Sequence, residues 1–131
     1  MRAQMSAELV IIASVAIGML FAMFIINGSL QKSWALQQAG MEASGAADQA
    51  AAAIGAAASG GNGARIMFIN SVPRSVVGMS VFGSRSVRAH HSLGGYSSSP
   101  LTTGAANFTE IPTNQRISFV NNNGTINIEV D

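Results

Sequence analysis

The sequence predicts an α+β chain, one long N-terminal α-helix followed by a small antiparallel β domain of the sandwich, immunoglobulin-like kind. Three observations predict it. Residues 9–26 are apolar without a single charge. From there to residue 58 alanines recur at helical spacing, and beyond residue 65 the hydrophobic period drops to two, the period of a strand. The expected organisation is a leader at 1–3, a helix over 4–59 and a β domain over 60–131.

The first of these stretches, LVIIASVAIGMLFAMFII, has only Ser14 and Gly18 as small or weakly polar interruptions. At 1.5 Å per residue, about 18 residues make a rod of roughly 27 Å, close to the thickness of a bilayer core. A helix apolar on every side leaves no face for water, so it belongs in lipid or inside a protein assembly. Glu8 stands at its start. A carboxylate buried there without a partner would cost several kcal/mol, so it must be paired, protonated or wet. The plainest alternative is a carboxylate in the headgroup layer, favoured by the positive end of the helix.

After the rod comes Asn27-Gly28-Ser29, where the entropy cost of glycine predicts a bend or a melted turn. The helix is expected to resume, because Ala35, Ala39, Ala43, Ala46, Ala50, Ala53 and Ala57 form a small-residue seam at spacings of three and four. Such seams let helices approach closely. A helix of about 55 residues, roughly 80 Å long, exceeds what a domain of this size needs, which points to bundling of many copies. A flexible stalk is the bland alternative. Lys32 and Trp34 fall where a cation and an aromatic mark a membrane interface, and Trp34 would serve equally as a packing residue. Ser59-Gly60-Gly61-Asn62-Gly63 ends the helix.

Strands are expected over 65–69, 75–82 and 85–89, broken by Pro73 and Gly83. Ile117 and Phe119, then Ile126, Ile128 and Val130, alternate with polar residues around Asn121-Asn122-Asn123-Gly124, a strong hairpin signal. Phe108 and Ile111 are candidates to begin another strand. Between these lies Ser92–Ala106, low in complexity and rich in Ser, Gly and Thr, which reads as an exposed loop unable to form a strand pair by itself. The resulting domain has a thin core.

Composition removes several function classes. Charged residues are 10% of the chain and the net charge is +1, which offers nucleic acid no basic surface. With no cysteine there is neither a disulfide framework nor a thiolate metal site. His90 and His91 are adjacent on a strand, so their rings diverge and chelate one metal poorly; surface histidines are the simpler reading. No Gly-x-Ser-x-Gly elbow, phosphate loop or dinucleotide fingerprint is present. The sequence therefore points away from an enzyme, a cofactor or a metal.

The N-terminus carries a further pattern. Arg2 and Ala3 precede Gln4-x-Ser6-x-Glu8-Leu9 and the apolar helix. This layout resembles archaeal type IV pilins with class III signal peptides, a family related to the archaellins, over roughly the first 30 residues. Ala3 stands where glycine is common in that family. The resemblance implies that a prepilin peptidase cuts between Ala3 and Gln4. It also implies that Glu8 then pairs with the new amine of Gln4, in its own or a neighbouring subunit, and that assembly machinery draws the chain from the cytoplasmic membrane into an extracellular homopolymeric adhesion filament. A motility filament like an archaellum is the near alternative, and a monomeric single-pass membrane-anchored binding protein the more distant one. A membrane-bound hydrolase using His90 or His91 would need pocket partners that the sequence does not offer.

Asn107-Phe108-Thr109 and Asn123-Gly124-Thr125 are candidate N-glycosylation sequons, and Asn27-Gly28-Ser29 is a third that helix packing would shield.

Overall fold

The computed structural model describes residues 2–102 and 105–130, with side chains described for 6–102 and 106–130. Helix α1 spans Arg2–Ser59. Among the described residues eight strands follow: β1 Arg65–Asn70, β2 Val76–Phe82, β3 Ser86–His91, β4 Tyr96–Pro100, β5 Ala105–Ala106, β6 Glu110–Ile111, β7 Gln115–Asn122 and β8 Thr125–Val130. A long apolar helix followed by antiparallel sheets is the α+β order that the sequence predicts. The chain divides into two compact units, residues 1–36 and 37–131.

Within the first unit α1 passes through Asn27-Gly28-Ser29 without interruption, so no melted turn occurs there. The reason is cooperative. One glycine costs about 1 kcal/mol, and once a helix is nucleated each flanking residue adds a backbone bond, so one weak position does not melt it.

The second unit joins residues 37–59 of α1 to the strands. One four-stranded sheet has the order β1-β7-β8-β5 and the other β4-β3-β2-β6. All pairings are antiparallel except β5 with β8. Ala43, Ala46, Ala47, Ala50, Ala51, Ile54 and Ala57 are buried in one cluster with Val81 and Val87 from the second sheet and Ile117, Phe119 and Ile126 from the first. The alanine seam thus packs on strands of its own chain. Small side chains bring the helix backbone close to the strands, and the larger Ile54 and Phe119 fill the remaining volume. Phe119 is flanked by Phe68 and Phe108, with ring centroids 5.9 and 5.8 Å away.

Turn chemistry fixes the register of the longest hairpin. Asn123 (φ 52°) and Gly124 (φ 87°) are both left-handed, the geometry of a type I′ turn, and they place Asn122 opposite Thr125. The Asn-Gly signal in the sequence is realised here. Of the two candidates for a further strand, Ile111 falls in β6, paired to Met79, whereas Phe108 lies just before it outside the ladder and packs against Phe119.

Ser92–Ala106 departs from the expected loop. Tyr96–Pro100 is an edge strand on β3, with Ser98 opposite Arg88 and Tyr96 opposite His90. Serine lacks β-propensity, but a neighbouring strand with free backbone groups supplies the ladder that this segment could not form alone. Ser99 is buried, and Pro100 sits at the strand end, where its missing N–H is tolerated.

Candidate functional site

Two surfaces stand out, one on each unit. On the first, every large apolar residue from Leu9 to Ile26 is exposed, Phe24 most of all at 83%. An 18-residue window there has a mean hydropathy of 2.9, so α1 is long and apolar enough to cross a membrane. Ser14 spoils this surface little, because its hydroxyl donates to the Val10 carbonyl at 2.8 Å. Glu8, Lys32 and Trp34 are exposed on the same helix. Ala3 and Gln4, the expected processing residues, lie on α1, and their side chains fall outside the described residues.

The sequons lie on the surface. Asn107 is exposed just after β5, with its backbone N–H donating to the Ile126 carbonyl and its side-chain amide to Asn127 Oδ1 at 3.3 Å. Asn123 is exposed at the tip of the β7–β8 hairpin, where its N–H donates to Asn62 Oδ1. Asn27 is exposed on α1.

Helix and sheets of the second unit are tied by polar bonds as well as by the core. Half-buried Glu42 accepts hydrogen bonds from Ser75 Oγ and Gln38 Nε2, which hold its carboxyl below the ordinary glutamate value. Ser97 Oγ donates to the Gly40 carbonyl at 3.0 Å. The buried amide of Asn121 donates to the carbonyls of both Ala57 and Ala58. These are the carbonyls a helix leaves without internal partners at its C-terminus.

The second surface is the outward face of the sheet containing β2 and β3. Met79, Val81, Val87 and Ala89 are buried, so period two sets Ser80, Phe82, Arg88 and His90 on the opposite face. There the Arg88 guanidinium lies 3.6 Å from the centroid of the Phe82 ring and 4.6 Å from that of Tyr96. His90 also meets Tyr96, at 6.0 Å between centroids, and its Nε2 is 3.2 Å from Ser80 Oγ. Beside this row a cleft of about 530 Å³ opens between β2 and β6, lined by Gly78, Ser80, His90, Glu110 and Thr113 among others.

His91 differs from the expected surface histidine. It is half-buried, and its Nδ1 is enclosed without a hydrogen-bond partner. The extra residue Val77 in β2 shifts the pairing so that Val76 faces His91 and Gly78 faces His90. Among the described residues no group of three His, Asp or Glu could hold a metal ion.

Sequence reasoning missed the stacked row on β2, β3 and β4. Its signal was present as Arg88-x-His90 at strand spacing, but the partners Phe82 and Tyr96 become neighbours only through the two hairpins. No family model, curated protein or solved structure matches this chain.

Proposed function

We propose that the chain is a structural subunit of an extracellular type IV pilus-like filament used for surface adhesion, inserted in the cytoplasmic membrane before assembly. The observation that carries this reading is the separation of the two apolar surfaces. The β strands close their core with residues 43–57 of α1, while residues 9–26 remain bare on all sides. A rod so apolar needs a non-aqueous surrounding, and identical rods packed together supply one. Burial at about 25 cal/mol per Å² does not alone favour the bundle over lipid, so close packing and the pairing of Glu8 supply the preference. In this reading Ala3 and Gln4 flank the processing site, the amine of Gln4 neutralises Glu8, and the β domains form the outer layer as sandwich-like modules.

Shearing cells and viewing the supernatant by electron microscopy tests the reading. Fibres containing this chain are expected, with an N-terminus at Gln4 by mass spectrometry. Recovery only as single copies in the membrane fraction would favour the anchored binding protein and overturn the filament. Glu8→Gln is expected to leave membrane insertion intact and to abolish fibres.

A further inference from the structure

On the outward face of the β4-β3-β2-β6 sheet, Arg88 is a cation without an ion-pair partner among the described residues. The Arg88 side chain has no hydrogen bond or ion pair among the described residues, and its Nε is buried without a partner. The rings of Phe82 and Tyr96 both lie within cation–π reach of its guanidinium. Such contacts engage the guanidinium plane and leave its edge, where the terminal N–H groups can take a carboxylate in bidentate fashion. Two aromatic neighbours lower the local polarity and strengthen such a pair relative to one in open water.

The aromatic rings are themselves open. Phe82 and Tyr96 are 58% and 54% exposed, a large apolar area on a face whose neighbouring positions are Ser80, Ser86 and Ser98. Flat C–H faces of a pyranose ring pack against such rings, and the adjoining hydroxyls need donors and acceptors within reach. The neighbouring cleft offers them in Ser80, His90, Glu110 and Thr113, and Gly78 keeps it open by bringing no side chain to it. At about 530 Å³ it is in the range of small-ligand sites.

We propose that this face binds a carboxylated saccharide, with the acid on Arg88, a sugar ring on Tyr96 and the next sugar in the cleft beside His90. The cleft sets the polar groups of Ser80, His90, Glu110 and Thr113 beside apolar Val77, Met79, Ile111 and Pro112, the mixture that a ring with hydroxyl edges and C–H faces requires. The inference deepens the adhesion reading by naming what the surface would hold. It does not depend on polymerisation, because every residue involved lies in the unit 37–131.

The test uses the full chain dispersed in a sugar-free detergent, titrated calorimetrically with trigalacturonate and, separately, with maltotriose. Trigalacturonate is expected to bind with a Kd of about 0.1–1 mM and at least roughly tenfold more tightly than maltotriose, with affinity falling as salt rises. Arg88→Ala and Tyr96→Ala should each weaken it by roughly tenfold or more, while Glu129→Gln, on the other sheet, should not. Arg88→Lys keeps the charge without the planar fork and should bind between the two. Unchanged unfolding midpoints for these exposed-face variants separate lost binding from lost folding. Equal affinity for both sugars, no binding of either, or retained binding in folded Arg88→Ala overturns the proposal. So does the finding that Arg88→Ala alters only self-association, which would assign the face to a second copy docking through an acid such as exposed Asp48. Failure to form fibres bears on the filament reading alone.

Discussion

The side-chain amide of Asn121 donates to the carbonyl of Ala57 at 3.2 Å, joining the end of α1 to the middle of the core sheet. The same nitrogen reaches the Ala58 carbonyl at 3.1 Å, and Asn121 Oδ1 accepts from the Gly124 N–H at 2.8 Å. Its backbone is engaged too, bonding with Gly63 and Ala64 of the connecting loop. One buried residue therefore caps the helix, holds the loop and braces the hairpin turn.

Asn121→Ala is expected to destabilise the second unit by about 2 kcal/mol, because it leaves the buried Ala57 carbonyl without its donor and removes one of the two donors to Ala58. Asn121→Asp should cost more, since it replaces the donor with a charge aimed at two carbonyl oxygens. Chemical denaturation of the full chain in detergent, followed by a probe of the β strands, measures both.

Acid should loosen the contact between α1 and the loop before β2. The Ser75 hydroxyl, and secondarily the Gln38 amide, lower the pKa of Glu42 in the folded chain. The stabilisation is therefore complete above the ordinary glutamate value of 4.5 and is lost as pH falls through the lower folded one. Glu42→Gln is expected to be less stable than the natural chain at neutral pH, with the difference shrinking between about pH 5 and pH 3. Thermal unfolding at stepped pH provides the comparison.

Ile54 and Phe24 are large apolar residues of one helix with opposite surroundings, 0% and 83% exposed. Ile54→Ala is expected to cost about 2–5 kcal/mol in unfolding of the second unit through the cavity it leaves. Phe24→Ala should leave that unfolding unchanged and reduce fibre yield. Measured side by side, the two variants separate folding from assembly.

A charge in the middle of the bare segment is the sharpest test of its surroundings. Leu20→Lys should cost about 2.5–3.5 kcal/mol for membrane insertion at mid-helix. The variant is expected to shift out of the membrane fraction and to yield no fibres, as read by fractionation and immunoblotting.

Much of the fold was legible because local signals agreed with it. The all-round apolarity of 9–26, the glycine cluster after Ser59 and the Asn-Gly turn at 123–124 each name a local structure that no tertiary contact opposes. Serine-rich polarity misled at β4, where Ser97, Ser98 and Ser99 adopt strand geometry only because β3 offers an edge. Alanines 39–57 announced close packing without naming the partner, since a small side chain suits a neighbouring helix and a neighbouring strand alike. On the candidate surfaces, Glu8 and the sequons are readable as motifs in a row. Arg88 beside Phe82 and Tyr96 is not, because its meaning arises from register across three strands.

The buried alanines and Ile54 between residues 43 and 57 are already committed inside each folded chain, so in the proposed filament the bare stretch before them is the apolar surface of α1 left to give cohesion. Folding of the second unit and recruitment into such a fibre would then answer to different stretches of one continuous helix, and selection could retune either without disturbing the other.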